Sequence, residues 1–548
     1  TCAAVPPAMA SSPSSSSTKG PGDAATTYGR FSQSAAEAAK HQESIYQGTR
    51  RSTRRSVMPS VRRRGSFAEV VVVDSNGEPP AGQLLLDFVE RTGLGWHQVA
   101  MTPLLVGVFV AEGAVIFMTN TCSMAMQREF NFSDRESSLL PSYAFIGLAV
   151  GTLASGILGD IGGRRGTVLA SLFGSSLYSI TLAVAVAGFD SAAFYLFASS
   201  ACCGLGVSAA ITMLLELYPR RHRSVPFAIA GCAYTLGEIY AGLGLLVWMP
   251  DLVHGTWRAV SLWVAFPSAI FFTLSLRFLG ESPQWLAVHG RFPEARGLLL
   301  TAARRNSTSH KVDTLLDASD DQSGGALVEA PGWSFLPVLR SLLASRRLMV
   351  SFVTCSLLCI VGNLLTFGMS YFWPMVLHFH EGGADAALAL IKIRCWGLLA
   401  ALVAIPIFTS SLGHRWIIFI SGLVSACGLQ QCSRSLLQDE GARDDARLVY
   451  LAGSVVVAGS VYYSCVMTLT SESFPTEVRA FASGCCLCAG RLGSVLAPLA
   501  LWALSPRNFL SFCALSSLAA GLLGLFVRDT KGIPLEDFCE GHLSPSAT

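Results

Sequence analysis

Charge is what this chain has least of. Asp, Glu, Lys and Arg make up 14% of its 548 residues, against about 25% in soluble domains, and so few charges cannot cover a water-exposed surface. Lysine is scarcer still. The five lysines stand at 19, 40, 311, 392 and 531, and none follows a glycine, which excludes a Walker A phosphate loop and an ATP-driven pump of that type. Metal-ligand spacings are missing too. Most of the sixteen cysteines sit inside apolar runs (Cys202, Cys203, Cys355, Cys359, Cys485, Cys486, Cys488) and act there as small hydrophobes, without a second ligand pair at zinc-site distance. His380-Glu381 is followed by Ala384 where a zinc protease needs its second histidine. No metal, cofactor or catalytic constellation is expected, and the chain is not read as an enzyme. No apolar segment of signal-peptide length precedes residue 98, so targeting is expected from a membrane span. The chain begins at Thr1 rather than Met, and its natural start is expected upstream.

Apolar residues are what remains: 51% of the chain, with 51 glycines and a mean hydropathy of +0.48. From Gln98 onward there are twelve runs of the ~20 residues a helix needs to cross a ~30 Å hydrocarbon core. They lie near 98–120, 139–158, 166–188, 191–214, 225–248, 259–279, 348–375, 386–409, 416–433, 448–470, 480–504 and 508–527. The runs are continuous rather than alternating, which selects helices over a barrel. The expected fold is an all-α membrane protein of twelve spans in two six-helix halves, residues 83–279 and 348–527. A cytosolic linker, 280–347, joins them, with helix-like periodicity near 292–305. Residues 1–82 read as a disordered Arg/Ser-rich tail, and 528–548 as a second tail. Residues 1–68 carry ten Lys and Arg against Asp23, Glu37 and Glu43, a charge of +7, which leaves the body at −4 and gives no footprint for nucleic acid. The arginines around Ser66 suit anionic lipid or a basic phosphorylation site at Ser66; a solvated tail without specific function is the other reading.

Lys and Arg in the connections set the orientation. With the N-terminus in the cytosol, eighteen fall inside and seven outside, so both termini and the linker are placed in the cytosol. An internal repeat is also visible. Glu216-Leu-Tyr-Pro219 with Arg223 matches Glu472-Ser-Phe-Pro475 with Arg479 at an offset of 256, while Gly231-Cys232 and Gly237 match Gly484-Cys485 and Gly490 at an offset of 253. At the second offset Glu238 and Arg491 are pseudo-symmetric. Six plus six helices is an architecture of secondary transporters, with the site at the midplane between the halves.

Motifs narrow the class. Gly156-Ile-Leu-Gly159-Asp160-Ile-Gly162-Gly163-Arg164-Arg165 resembles the signature of the major facilitator superfamily, with Ile161 where a basic residue is usual, and Leu412-Gly413-His414-Arg415 resembles its degenerate second copy. Gly280-Glu281-Ser282-Pro283-Gln284-Trp285-Leu286 and Asp529-Thr530-Lys531-Gly532 are similar to motifs of sugar and organic-ion porters. Ser473 to Arg479, Gly490 to Pro498 and Gly93 to Gln98 are most similar to synaptic vesicle protein 2-related and organic cation and anion transporters. The resemblance covers residues 83 to 537 and implies alternating access by a monomer. It also implies ion pairs among Asp160, Arg164, Arg165, Glu216, Arg223, Glu472 and Arg479 that close a cytosolic gate, and a role for Arg491 in organic-ion binding. The family's span-4 arginine is Ser200 here, which weakens the case for proton coupling.

Ionisable groups inside spans are expensive, about 2.5 to 3.5 kcal/mol even on the lenient insertion scale, and each is a functional candidate. Glu112, Glu238 and Arg491 stand near mid-span. Glu112 is either a proton carrier or a silent protonated carboxyl; Glu238 and Arg491 either bind the solute or pair permanently. Lys392 and Arg394 are placed nearer the outer face, where snorkelling accounts for them, with Arg394 as an anion-attracting candidate. Asn363, Trp396, Tyr371 and Tyr462 are the chosen wall residues, with Tyr234 and Tyr463 behind them. Asn131-Phe-Ser133 is a glycosylation acceptor in an outer loop near 121–138. The expected partners are a small, charged organic solute, protons and the lipid bilayer, in the plasma membrane or an intracellular vesicle. Two alternatives stay open: a sugar or polyol proton symporter, and a vesicle-membrane protein or receptor of transporter shape.

Overall fold

The computed structural model describes residues 89–90, 92–219, 222, 225–308, 345–380, 385–410, 412–436, 445–474 and 476–527. Both tails with Ser66, the greater part of the linker, Arg223 and the side chain of Arg479 lie outside the described residues. The first half holds α1 (Trp96–Phe130), α2 (Asp134–Gly162), α3 (Arg164–Ala185), α4 (Phe189–Leu217), α5 (Val225–Trp248) and α6 (Trp257–Phe278). Two short helices follow, α7 (Pro283–Val288) and α8 (Phe292–Arg305). The second half holds α9, which runs 346–380 through a π-helical turn at Leu364–Gly368, then α10 (Asp385–Thr409), α11 (His414–Ser435), α12 (Asp445–Glu472), α13 (Thr476–Ala503) and α14 (Pro506–Leu525). Twelve of these helices are long and apolar enough to cross a membrane. Backbone groups without water must pair within their own segment, and a helix does this completely.

One expected connection is shorter than its sequence suggests. The outer loop near 121–138 reduces to residues 131–133, because α1 continues through Gln127, Arg128 and Glu129. Asn131 ends it in the left-handed conformation, φ 55°. Ser133 then caps α2 reciprocally with Glu136, which satisfies the first free N–H groups of that helix.

The repeat is exact in length for its first and third helices. Helices α1 and α9 begin and end 250 residues apart, as do α3 and α11. Helices α4 and α12 begin 256 residues apart, because three residues (186–188) join α3 to α4 and nine (436–444) join α11 to α12. Packing agrees. A Cβ on Gly237 would strike the carbonyl of Val110 in α1, and one on Gly493 would strike the carbonyl of Ile360 in α9; the next contacts are the amides of Ala114 and Leu364, each at 3.0 Å. Gly237 therefore corresponds to Gly493, which places Glu238 opposite Ser494 and Arg491 opposite Thr235. The offset of 253 in this region is corrected.

Large apolar side chains are exposed around the bundle, among them Leu153, Val184, Leu402 and Leu515. Water would make such a girdle an aggregation surface; a bilayer is its natural solvent. Inside, among the described residues, the halves share a buried apolar core at one end. At the end bearing the α1–α2 turn one apolar core runs through both halves, joining Phe117, Phe145 and Trp257 to Phe372, Trp373 and Phe509. At the opposite end the core divides in two. Leu104, Leu172 and Leu214 belong to a cluster drawn from the first half, and Leu358, Ile418 and Val466 to one from the second. Three hydrogen bonds fasten the joined end: Ser142 Oγ donates to the Val495 carbonyl at 2.9 Å, Ala387 N to the Pro250 carbonyl at 3.2 Å, and Tyr371 bonds with Ser138.

Candidate substrate and coupling site

Close helix approach brings the acids together. Gly113 lies on the backbone of Tyr234 and of Glu238, so α1 and α5 touch where Glu112 and Glu238 leave their helices. In the second half the small residue changes helix: Gly490 of α13 faces the Asn363 amide nitrogen of α9, where the hypothetical Cβ would be 2.7 Å away. Small residues that allow such contact are a device of helix packing in lipid, where no hydrophobic force draws helices together.

Both acids pair across the interface between halves. Arg394 lies 3.4 Å from Glu238, and Arg491 lies 3.7 Å from Glu112. All four side chains are under 10% exposed. Glu238 and Arg491 therefore do not pair with each other. Arg394 is not a snorkelling residue either: it stands more than two turns inside α10 and is 4% exposed, while Lys392 beside it is exposed. The two pairs differ in bracing. Ser370 of α9 accepts from Arg394 Nη2 at 2.9 Å and donates to Glu238 at 3.4 Å. Among the described residues no such group ties Glu112 to Arg491. Glu112 Oε1, Arg491 Nη1, Arg394 Nε and the Tyr234 hydroxyl are buried without a hydrogen-bond partner among the described residues.

An aromatic cluster adjoins these charges. Phe367, inside the π-helical turn of α9, lies 5.0 Å from the Arg491 guanidinium and meets Phe145, Tyr234 and Tyr463 edge-on at 5.9, 5.7 and 6.1 Å. Phe117 lies 5.5 Å from the Arg394 guanidinium. Edge-to-face rings and cations over ring faces are favourable where water is excluded. Single-turn π segments inside α-helices are frequent at functional sites.

The other chosen residues lie as follows. Tyr462 is fully buried in the core of the second half, with its hydroxyl on the Leu358 carbonyl at 3.3 Å; its neighbour Tyr463 faces Phe367. Asn363 is engaged at both ends, donating to the Cys359 carbonyl at 2.9 Å and accepting from Ser494 at 3.4 Å. Trp396 packs on Gly453 and Tyr450 of α12. Tyr371 belongs to the joined end through its bond with Ser138. Sequence reasoning missed Phe367 and Ser370. Neither carries a charge or a motif, and the periodicity of an apolar span does not single them out.

At the divided end the ion pairs among the described residues each lie within one half. Arg164 pairs with Glu216, which also accepts from Ser282 Oγ. Glu281 accepts from the backbone amides of Arg164, Arg165 and Ser282 and so caps the N-terminus of α3 with negative charge. Arg165 donates to the carbonyls of Leu279 and Leu276, and Trp285 donates to the Asp160 carbonyl at 2.9 Å. In the second half His414 stands 250 residues after Arg164 and lies 3.8 Å from Glu472. These contacts are local to each half; Arg223 and the side chain of Arg479, two members of the expected gate, lie outside the described residues.

Two matched half-bundles that touch at one end, around buried charges that pair from half to half, define a membrane transporter of the alternating-access type. Residues 100–541 match the family described as Sugar (and other) transporter. The chain is 28% identical over 415 residues to Solute carrier family 22 member 20 of Mus musculus, covering 72% of this chain and 68% of that protein. It is 22% identical over 469 residues to the Niacin transporter NiaP of Acinetobacter baylyi, covering 83% and 97%. Its fold is similar to that of the xylose transporter XylE from E. coli in a partially occluded inward-open conformation, with TM-score 0.64, 16% identity and coverage of 80% and 99%. The chain belongs to the sugar (and other) transporter family.

Proposed function

We propose that this protein carries a small charged organic solute across the membrane, with Glu112, Glu238, Arg394 and Arg491 as the groups the solute meets. The observation that carries this reading is the pairing of two buried acids in one half with two buried arginines in the other. Buried charges are retained at such a depth where they serve a pathway. Proton coupling to a neutral sugar needs a single acid, and two full ion pairs weigh against the sugar reading. Relatives named for niacin and for organic cation and carnitine transport support an ionic solute. The cytosol lies on the divided side, where Arg164, Arg165 and Arg415 stand; both termini and the linker at 280–347 share that side, and the protein works as a monomer in the plasma membrane or a vesicle. On that side Asp160, Arg164, Arg165, Glu216, Arg223, Glu472 and Arg479 form the gate. Asn131 is the outer glycan acceptor, and Ser66 a cytosolic phosphorylation site.

Reconstituted protein in liposomes tests the reading: saturable uptake of an organic ion, but not of hexoses, is the expected result. Uptake of hexoses alone would overturn it. A glycosidase-sensitive mobility shift that Asn131→Gln abolishes would fix the orientation, because glycan is added only on the non-cytosolic side.

A further inference from the structure

The sequence from Gly93 to Gln98 meets its partner in the linker. Helix α8 closes at Asn306, and the Asn306 side chain fills the turn that opens α1. Its Oδ1 accepts from the His97 amide at 2.9 Å, while Nδ2 donates to Gln98 Oε1 at 2.9 Å and to the Gly93 carbonyl at 3.3 Å. Gly95 makes the room, because a Cβ there would fall on the Asn306 side chain. Gln98 extends the contact to α4: its Nε2 donates to the carbonyls of Gly93 and Leu217 at 3.2 and 3.1 Å. Thr308 Oγ1 adds a bond to the Thr92 carbonyl at 3.4 Å. This clasp of α1, α4 and α8 lies at the last described residues of the linker before α9.

We infer that Ser307 is a phosphorylation site and that its phosphate opens this clasp, an inference that rests on the proposed placement of the divided end in the cytosol. Arg304 and Arg305 stand three and two residues ahead of Ser307, and all three are exposed. The acidic substrate groove of a basic-directed protein kinase selects that charge pattern. Ser307 has already left α8 in the left-handed conformation, φ 58°, which is unfavourable for a residue with a side chain and is relieved when the helix end frays. The kinase brings ATP: Ser307 Oγ bonds to the γ-phosphorus as the bond from that phosphorus to the β-phosphate oxygen breaks. ADP leaves, and the hydroxyl proton passes to the base of the kinase and on to water. The product holds nearly two negative charges at the C-terminal, negative end of the α8 dipole. It sits among the carbonyls of Thr92, Gly93 and Ala303, which already accept from its neighbours Asn306 and Thr308. Repulsion favours the frayed end, where Arg304 and Arg305 turn to the phosphate and Asn306 leaves α1. The His97 amide then loses its acceptor to water.

The test uses full-length protein purified in detergent, with ATP and the catalytic subunit of cyclic-AMP-dependent protein kinase as probe. Mass spectrometry should find phosphate on the peptide that holds Ser307, and none there in Ser307→Ala. Hydrogen exchange in the peptide that holds His97 should rise severalfold on phosphorylation, and Asn306→Ala should give the same rise without phosphate. Kinase-treated Ser307→Ala keeps every other serine and should exchange as untreated protein does, which assigns the effect to this site. Phosphate elsewhere in the chain but not on Ser307 would overturn the site. Phosphate on Ser307 with exchange at His97 unchanged would overturn the opening of the clasp. Asn306, Ser307 and Thr308 also form an Asn-x-Thr glycan acceptor. A glycan on Asn306 in protein from a glycosylating cell would place this end outside the cytosol and overturn both the orientation and the regulation. No solute enters these measurements, so their failure leaves the organic-ion reading standing, and a failure of organic-ion uptake leaves the clasp standing.

Discussion

Gly237 and Gly493 occupy the same place in the two halves, each with its bare Cα on the carbonyl of a residue in the first helix of its half, Val110 or Ile360. These contacts set the separation of α1 from α5 and of α9 from α13, and so the depth at which Glu112 and Arg491 meet.

Enlarging either glycine should therefore move the charges. Gly237→Val or Gly493→Val is expected to lower stability by about 1–3 kcal/mol through overpacking. A fall in the unfolding temperature of purified protein in detergent, with loss of uptake, checks it; unchanged stability would show that the contact is not tight.

The Glu238–Arg394 pair should behave as a unit. Arg394→Gln alone leaves a buried carboxylate without its countercharge, a loss of about 3–5 kcal/mol. The double change Glu238→Gln with Arg394→Gln should recover most of that, and a double-mutant cycle on thermal stability measures the coupling. Additive losses would mean that the two side chains do not interact.

Phe367→Leu keeps most of the volume and removes the ring. The edge contacts to Phe145, Tyr234 and Tyr463 and the face under Arg491 are lost, about 0.5–1.5 kcal/mol for each aromatic pair. The expected outcome is normal membrane expression with a KM for the solute raised about tenfold for each 1.4 kcal/mol lost in binding.

Glu281 should matter for the end of α3 rather than for the solute. Glu281→Ala removes an acceptor shared by the amides of Arg164, Arg165 and Ser282, and a lost helix cap is worth about 1 kcal/mol. Faster proteolysis at Arg164 and Arg165 with an unchanged KM is the expected pattern; a change in KM with no change in proteolysis would contradict it.

The twelve spans were legible because hydropathy over twenty residues reports the solvent of a helix directly. Their ends were not, since Gln127 to Glu129 are polar and still helical. The charged positions Glu112, Glu238, Arg394 and Arg491 were legible as anomalies in apolar runs. Their pairing was not, because it depends on which faces of α10 and α13 turn toward the first half. A one-residue error in register turns a helical side chain by about 100°, and the three-residue error between offsets of 253 and 256 made Glu238 and Arg491 look symmetric. Phe367 left no trace, being one phenylalanine among 31.

Both midplane acids belong to the first half and both arginines to the second. Two copies of the first half joined as a homodimer would bring four carboxylates into contact, and two copies of the second would bring four guanidinium groups. The matched lengths of α1 with α9 and of α3 with α11 point to descent from a duplicated half-gene. As the pairs stand, each half relies on the other for its counterions. Neither is suited to assemble with its own twin, and the protein is in effect a heterodimer carried on one polypeptide.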